Sequence, residues 1–413
     1  MFASAVLLLT VLAGQVATAR VTTTDFGRKD APSAVAVQPD GRLVVAGTSA
    51  APNQERVWVA ISRYREDGAL DPTFGGDGTI TADLGGGAHD LLVQADRRIV
   101  AVGDAGREQH AGMGAVRYLP DGTLDRSFGG DGSVTIEKIG WDCPSAGAVA
   151  QQADGKLVLV GTVGCGGEAG DTQLAVVRLN ADGSPDPSFD RDGTRIPTFG
   201  GACTYGSAVA VLPDGKILAA GEDGGCYEER GPFRVIRLNP DGTTDRTFGR
   251  HGRQRVDFPG RQAWVGDLIV DTQGRTLLVG IAGREFGKGP YRVTHALARL
   301  TARGTIDRGF GRGGTTLGPR GRTAHTWNSA GALLADGRIA VVGTMSFYSK
   351  RRDPRIAVFR PDGRLDRAGH VRFGGRQETA DAVTVDADGR VVVVGSTEVG
   401  GTSSDFALTR VDL

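Results

Sequence analysis

The chain has 413 residues and no formal net charge, because 48 Lys and Arg residues balance 48 Asp and Glu residues. This balance argues against a strongly basic nucleic-acid binder and against a polybasic membrane-binding surface. The length would suit two or three ordinary domains. However, the 65 glycines fall at regular positions, which indicates turns of an internal repeat and therefore a single body.

Residues 1–19 have the pattern of a secretory signal peptide. The apolar run from Leu7 to Leu12 is followed by Ala17-Thr18-Ala19, a small-x-small cleavage pattern. The run is shorter than the roughly 20 residues that cross a bilayer. No Lys or Arg precedes it, so an uncleaved tail or a single anchor is the alternative. We expect a secreted or cell-surface protein with no membrane span after cleavage.

The remaining chain, residues 20–413, begins its repeat with a hairpin at residues 33–48, two apolar strands joined by Pro-Asp-Gly. Asp-Gly between hydrophobic runs is a strong hairpin signal, because glycine accepts the positive φ of the turn. The second strands are apolar on both faces, which is typical of strands covered by neighbouring sheets. Equivalent hairpins recur at residues 90–103, 146–161, 207–221, 267–280, 330–343 and 382–395.

Each of the first six hairpins is followed by a third strand, a second turn and a fourth strand, and the turn is Asp-Gly except for Arg303-Gly304 in the fifth unit. In the first unit these are residues 57–64, the segment Leu70-Asp-Pro-Thr-Phe-Gly-Gly-Asp-Gly78, and residues 79–84. The sixth unit loses Phe-Gly from this segment, and the seventh ends within its third strand. No segment shows helical periodicity of useful length.

The missing fourth strand of the last unit is supplied by the other end of the chain. Residues 20–27 match the fourth strands of the complete units. Seven units completed in this way predict an all-β, seven-bladed β-propeller of four-stranded antiparallel blades, closed by the N-terminal strand against the last blade. We expect a monomer. Small residues at one register suit innermost strands that converge on the axis: Ala34, Ala148, Ala208, Ala330 and Ala382.

Both repeated segments resemble the delta-60 repeat family, a bacterial β-propeller-like repeat of unassigned activity. The resemblance is carried by Pro39-Asp-Gly-Arg-Leu-Val-Val-Ala-Gly47 and by the Asp-Gly-x-Leu-Asp-Pro-Thr-Phe-Gly-Gly-Asp-Gly segment, and it covers nearly all of residues 20–413. Two places depart from the pattern. The sixth unit lacks the Phe-Gly of the second segment, and Asp96-Arg97 lacks the turn glycine. The resemblance implies a propeller fold and no catalytic residues.

The four cysteines flank two neighbouring hairpin turns at similar distances. Folding each hairpin about its turn places Cys143 opposite Cys165 and Cys203 opposite Cys226, which predicts two equivalent disulfides. Metal binding is the alternative, although no CxxC spacing is present. Paired cysteines persist in an oxidising compartment, in agreement with export.

An arginine near the end of the third strand and an aspartate after the next turn recur in most units. We interpret them as structural ion pairs that hold turn to strand. The arginines are Arg63, Arg117, Arg178, Arg237, Arg299 and Arg410, and the aspartates are Asp71, Asp125, Asp186, Asp245, Asp307 and Asp366. Calcium binding by aspartates of this segment, such as Asp67, Asp71 and Asp77, is the alternative.

One face of the propeller carries a set of aromatic and charged residues. The connections between blades and the loops between second and third strands share this face, where variable loops commonly hold binding sites. Aromatic rings there can stack on a sugar or hold a peptide, or they can fill gaps between blades. The candidate ligand-binding residues are Trp141, Tyr205, Trp264, Asp267, His325, Trp327, Tyr348 and Arg351.

No histidine recurs with Ser, Cys or paired carboxylates in a recognisable catalytic motif. We therefore expect a non-catalytic binding or scaffold module for a glycan or a peptide or protein ligand, with no cofactor, metal or nucleic acid. A lyase or glycosidase acting at the channel mouth is the alternative, with His325 and Asp267 as its first candidate residues. A purely structural surface protein is a third possibility.

Overall fold

A computed structural model describes residues 17–18, 21–53, 55–106, 112–137, 139, 143–164, 172–199, 203–224, 230–284, 292–319, 325–326, 329–346, 352–399 and 403–413. Their strands form seven antiparallel sheets, and first strands of adjoining sheets contact one another in sequence around a ring. The seven-bladed propeller predicted from the repeats is confirmed. The described part of the chain contains no helix long and apolar enough to cross a membrane.

The first three complete blades follow two short N-terminal strands, β1 (Ala17–Thr18) and β2 (Thr22–Thr24). Blade 1 comprises β3 (Lys29–Val37), β4 (Leu43–Ala50), β5 (Val57–Tyr64) and β6 (Thr79–Ala82). Blade 2 comprises β7 (Ala88–Val93), β8 (Ile99–Ala105), β9 (Gly112–Tyr118) and β10 (Ser133–Ile136). Blade 3 comprises β11 (Ser145–Gln151), β12 (Leu157–Val163), β13 (Gln173–Leu179) and β14 (Thr194–Arg195).

The last four blades complete the ring. Blade 4 comprises β15 (Cys203–Val211), β16 (Ile217–Gly224), β17 (Arg230–Leu238) and β18 (Arg253–Val256). Blade 5 comprises β19 (Gln262–Val270), β20 (Thr276–Arg284), β21 (Arg292–Leu300) and β22 (Thr315–Leu317). Blade 6 comprises β23 (His325–Thr326), β24 (Ala330–Leu333), β25 (Ile339–Ser346), β26 (Arg352–Phe359) and β27 (Leu365–His370). Blade 7 comprises β28 (Ala382–Val385), β29 (Val391–Glu398) and β30 (Ser404–Asp412), with β1 and β2 beside β30.

The ring is closed by the two ends of the chain. Strand β2 pairs antiparallel with β30, with Thr22 opposite Leu408 and Thr24 opposite Phe406. The Thr24 hydroxyl lies 2.7 Å from the hydroxyl of Tyr64, a fully buried side chain of blade 1. The predicted closure by residues 20–27 is therefore confirmed, and the closing strand also contacts the first blade.

Part of the predicted signal segment also has a place in this sheet. Ala17 and Thr18 form β1 and pair with Asp412 and Val411 of the last strand. The rest of residues 1–19 lies outside the described residues, and signal cleavage remains a prediction.

The second signature joins neighbouring blades in the first five units. In blade 4 the Arg237 guanidinium donates from Nε to Asp245 (2.7 Å) and from Nη2 to Thr247 (3.2 Å). Its Nη1 donates to the carbonyl of Ala302 in blade 5 (2.8 Å), and its plane lies over the buried Phe248 ring, 4.6 Å from the centroid. We call this arrangement the clasp. The structural interpretation of the Arg–Asp pairs is confirmed, and the contact with the next blade is additional.

Clasps follow each of the first five blades. Their Arg–Asp pairs are 2.7–2.8 Å apart, and each Arg Nη1 also reaches a carbonyl of the following blade. The Arg, Asp and Phe members and the carbonyl acceptors are Arg63–Asp71–Phe74 with Pro120, Arg117–Asp125–Phe128 with Ala181, Arg178–Asp186–Phe189 with Pro240, Arg237–Asp245–Phe248 with Ala302, and Arg299–Asp307–Phe310 with Pro361.

The turn glycine of the following blade is part of each clasp. Gly304 has φ +77°, and a Cβ placed on it would lie 2.5 Å from the Phe248 ring. Only glycine combines this backbone conformation with so close an approach. The Arg303-Gly304 turn is thus fixed both by its own hydrogen bond to Thr301 and by the neighbouring phenylalanine.

Two members of the predicted Arg–Asp series differ from the others. Arg410 of blade 7 pairs with Asp386 at 2.9 Å, an aspartate before the hairpin turn of its own blade. Asp366 pairs with the exposed Arg360 at 3.2 Å and lies in β27. The reason is that Val358 occupies the arginine register in blade 6, so no clasp of this kind joins blade 6 to blade 7.

The calcium alternative at these turns is not supported by the contacts. Asp71 accepts hydrogen bonds from Arg63, and Arg42 lies 2.9 Å away. Asp67 and Asp77 each accept the backbone N–H two residues ahead in a separate turn. Each carboxylate therefore stabilises its own turn or strand.

Cys143 and Cys203 are both disulfide-bonded, and no described cysteine is free. Their expected partners, Cys165 and Cys226, lie outside the described residues, so the pairing remains a prediction. One geometric assumption was wrong. Cys203 lies directly opposite Gly224, because a β-bulge between Gly206 and Ala208 shifts the register of the hairpin.

Candidate functional site

A polar cavity of about 580 Å³ lies on the propeller axis and is lined mainly by the first strands of the blades. Most first strands contain a β-bulge at the same point, for example between Pro32 and Ala34 in β3. A bulge redirects a side chain out of the regular pleat. One residue from each blade consequently lines the cavity at this level: Ser33, His89, Gly147, Ser207, Gly266, Ser329 and Asp381.

The next residue of each first strand is alanine in five blades and aspartate in two. Asp90 and Asp267 occupy the register of Ala34, Ala148, Ala208, Ala330 and Ala382. Both aspartates line the cavity. They stand in blades 2 and 5, so the cavity contains two equivalent carboxyl groups contributed from separate parts of the ring.

The two aspartates make equivalent hydrogen bonds. Asp90 accepts the N–H of Leu91 (2.8 Å) and, in the next blade, the N–H of Val149 (2.8 Å). Asp267 likewise accepts the N–H of Leu268 (2.7 Å) and that of Gly331 in the next blade (3.0 Å). A carboxylate has about four acceptor positions, so these bonds leave part of each group's capacity for a ligand.

Burial controls the ionisation of both carboxyl groups. Burial, assisted by the charge of Asp267, raises the pKa of Asp90 to about 7. Burial also raises the pKa of Asp267 above its usual range, although two backbone N–H groups oppose the shift. Near neutral pH Asp90 is therefore partly protonated and can donate as well as accept a hydrogen bond.

His89 adds a basic group to the same cavity. Its Nδ1 lies 2.9 Å from the carbonyl oxygen of Ala146, and its Nε2 lies 3.3 Å from Asp104. Burial lowers the pKa of His89, but the hydrogen bond and charge of Asp104 outweigh burial and raise it above the usual value. Because Nδ1 faces a carbonyl and Nε2 faces a carboxylate, the contacts favour the imidazolium form.

Glu222 and Trp264 complete the wall on the side of blades 4 and 5. Glu222 is 3 % exposed and accepts a hydrogen bond from Ser207 at 3.4 Å. Trp264 lies opposite Ile281 in the β19–β20 pair, and both residues line the cavity. The cavity thus combines carboxyl groups, hydroxyl groups and an imidazole with one large aromatic surface.

The structure brings some of the predicted ligand-binding residues together. Trp264 and Asp267 both line the axial cavity. Tyr205 lies beside it, opposite Glu222 in the β15–β16 pair, and His325 lies in β23 opposite Ser346. The other predicted residues, Trp141, Trp327, Tyr348 and Arg351, lie outside the described residues.

Sequence reasoning missed the blade 2 side of the cavity, including His89 and Asp90. The available signal was Asp90 at the register where five blades carry alanine. That break in the repeat marks Asp90 as the counterpart of Asp267.

Comparisons with known proteins agree on the architecture. A family model described as a domain of unknown function (DUF5122) β-propeller matches residues 38–74, 94–128, 152–189, 212–248, 334–368 and 387–413, about half of the chain. The match supports the β-propeller repeat family expected from the sequence; the delta-60 name is not part of it. A comparison with curated proteins gave no significant match.

Several solved structures match this chain at low sequence identity. A protein of unknown function from Dyadobacter fermentans matches with 13% identity and a TM-score of 0.48, over 97% of this chain and 100% of that one. The β-propeller domain of the Trilobed protease from Pyrococcus furiosus has 11% identity and a TM-score of 0.44, over 94% of each chain. An α-L-arabinanase from Penicillium chrysogenum, complexed with arabinobiose, has 12% identity and a TM-score of 0.44, over 96% of this chain and 98% of that one.

Proposed function

Because the chain belongs to the DUF5122 β-propeller family, whose function is unknown, we propose a function from the axial cavity. The protein is an exported, non-catalytic binding module that holds a small polyhydroxylated ligand, such as a mono- or disaccharide, in this cavity. The observation that carries the proposal is the combination of Trp264 with the carboxyl groups of Asp90 and Asp267 in one cavity.

The cavity suits such a ligand in size and chemistry. Its volume of about 580 Å³ lies within the range of small-molecule sites. Sugar hydroxyl groups require acceptors and donors, which the carboxyl, hydroxyl and imidazole groups supply. The apolar face of a sugar ring packs against an aromatic side chain such as Trp264. The bulged strands form a rigid wall, so little ordering accompanies binding.

The proposal is tested by screening the purified protein against glycan and peptide arrays and measuring the strongest hit by calorimetry. We expect a glycan to bind, and we expect Trp264→Ala and Asp267→Asn each to weaken binding about tenfold, because a stacking or charged hydrogen-bond contact is lost. Trp58→Ala is the matched control, since Trp58 lies in a third strand beneath Arg28 and does not line the cavity. If both cavity variants bind the ligand as tightly as the wild-type protein, the cavity is not the binding site. If only peptides bind, the proposal of a glycan ligand is wrong.

A propeller enzyme is the second candidate, and the raised pKa of Asp90 favours it. A carboxyl group that holds its proton near neutral pH can act as a general acid, and Asp267 places a second carboxyl group in the same cavity. Aryl glycosides and polyuronates are the substrates to assay. If the wild-type protein turns over such a substrate, and Asp90→Asn abolishes turnover but retains ligand affinity, the protein is a glycosidase or lyase and not a non-catalytic binding module.

We also propose that the protein is exported with two disulfides, Cys143–Cys165 and Cys203–Cys226. Support comes from Cys143 and Cys203, which are both disulfide-bonded, and from the signal-like residues 1–19. The repeats are of the delta-60 type, a proposal that rests on their two signatures. Non-reducing peptide mapping of the secreted protein tests the pairing, and a fragment that links Cys143 to Cys203 would contradict it.

A further inference from the structure

Three carboxyl groups meet at the seam between the last blade and the first. Asp25 lies in the connection from β2 to β3, Asp30 is the second residue of β3, and Asp405 is the second residue of β30. One oxygen atom from each carboxyl group lies within 4.8 Å of the other two. The cluster is separate from the axial cavity, whose lining contains none of these residues.

The central member of the cluster is a buried carboxyl group with an unused oxygen. Asp30 is fully buried, and its Oδ2 accepts the N–H of Phe26 at 2.9 Å. Its Oδ1 is also buried and has no hydrogen-bond partner, although the Ser49 hydroxyl lies nearby. An unpaired carboxylate oxygen in the interior is costly unless a cation or donor reaches it.

The described surroundings do not neutralise the cluster. Asp405 is 8 % exposed and Asp25 is exposed. No ion pair in the described part of the chain involves any of the three carboxyl groups. The nearby Arg28 stacks on Trp58, with its guanidinium carbon 4.1 Å from the ring centroid.

We propose that Asp25, Asp30 and Asp405 form a calcium site that locks the closure of the ring. Two oxygens that each lie about 2.4 Å from one cation are at most twice that distance apart, and every pair of the three oxygens lies within 4.8 Å. Carboxylate oxygens are hard ligands, and the exposed side at Asp25 leaves room for the waters that complete six to eight ligands. Magnesium suits the site less well, since it demands a near-ideal octahedron.

The position of the site gives it a definite consequence. Its ligands come from the segment after the closing strand, from the first blade and from the last blade. The Ser404 hydroxyl already donates to the carbonyl of Asp30 across the same seam (2.9 Å). A bound cation therefore ties both ends of the chain together at the junction where the ring would otherwise open.

The test is thermal unfolding of the purified full chain at neutral pH, in EDTA and in millimolar CaCl₂, with calorimetric titration of CaCl₂. We expect calcium to raise Tm and to slow amide hydrogen exchange in Thr22–Thr24, because a ligand that binds only the folded state stabilises it. No change in Tm and no binding heat with the wild-type protein would overturn the proposal.

Variants assign the effect to the cluster. Asp30→Asn and Asp25→Asn should both lose the calcium-dependent rise in Tm, and Asp25, being exposed, can be replaced without disturbing the interior. Asp77→Asn is the matched control, since Asp77 is an exposed aspartate that accepts the N–H of Thr79 in an isolated turn, and it should keep the full rise. If both cluster variants keep the calcium-dependent rise in Tm, or if only Asp77→Asn loses it, the assignment of the calcium site to this cluster is wrong. The result is independent of ligand binding in the axial cavity.

Discussion

Asp90 and Asp267 show how a repeat acquires a special site by changing one residue at one register. In most blades the same β-bulge precedes this register, but alanine contributes nothing polar to the channel, whereas aspartate contributes a carboxyl group. Each aspartate also ties its strand to the next blade through a backbone N–H. The same side chain therefore supports the ring and equips the cavity.

The ionisation of Asp90 should be visible in the pH dependence of stability. Its pKa is about 7 in the folded protein against an ordinary value of 3.8, so the folded state binds the proton more tightly than the unfolded state. Stability contributed by this group is therefore fully present at low pH and is lost as the pH rises towards and through 7. The Tm of Asp90→Asn should rise relative to that of the wild-type protein as the pH increases from 5 to 8.

Asp131→Asn provides the control for this experiment. The backbone N–H and hydroxyl of Ser133 lower the pKa of Asp131, so this carboxyl group is ionised across the whole interval. The Tm difference between this variant and the wild-type protein should stay constant from pH 5 to 8. A constant difference for Asp90→Asn as well would show that Asp90 does not titrate in this range.

Residues that face the channel could be predicted only where they interrupt an obvious pattern. Trp264 and Asp267 were predicted because they stand near the start of a first strand, on the face with the long loops. His89 was missed because its position depends on a β-bulge, and the sequence does not mark bulges. Asp25, Asp30 and Asp405 were missed because the pairing of β2 with β30 does not by itself show that the connection from β2 to β3 brings two further carboxyl groups to Asp405.

At the scale of the element, the clasp explains why the second signature is so regular. The arginine orders its own turn through aspartate and covers the phenylalanine, and it also bonds to the next blade. The sequence predicted the Arg–Asp pair, since both residues lie in one unit. It could not predict the carbonyl acceptor, which lies 57 residues away or more and carries no side-chain signal.

Loss of a clasp should cost more than loss of a surface ion pair. We expect Arg237→Met to lower the free energy of unfolding by about 2–3 kcal/mol, below the usual range for a buried pair because Lys216 remains 3.3 Å from Asp245. Arg360→Met removes an exposed pair with Asp366 and should cost less than about 1 kcal/mol. Urea unfolding measures both values, and equal losses would contradict a special role for the clasp.

At the scale of the whole molecule, stability depends on the closure of the ring, to which β2 contributes three residue pairs with β30. Strand β2 covers Phe406, Ala407 and Leu408 of β30, and Thr24 reaches Tyr64 in the first blade. Without β2, the last blade has an uncovered edge, and the first and last blades lose a shared contact. The sequence predicted this closure because the strand missing from the last unit was present at the other terminus.

Two shortened chains separate the closing strand from the residues before it. A chain that begins at Val21 keeps β2 and should retain the wild-type exchange protection of the Phe406–Leu408 amides. A chain that begins at Asp25 lacks β2, and these amides should exchange at least about tenfold faster. Hydrogen exchange with mass spectrometry makes the comparison. Equal protection in the two chains would show that β2 does not hold the ring closed.

Every clasp runs from an arginine of one unit to a carbonyl of the next unit, and this order determines which changes in the number of units the fold tolerates. Each arginine bonds to a carbonyl 57 to 65 residues further on, one unit ahead. Tandem duplication or loss of one complete inner unit leaves every donor with an acceptor, because each unit carries the donor for its successor and the acceptor for its predecessor. Recombination can therefore vary the number of inner units, while selection maintains the terminal units that seal the circle.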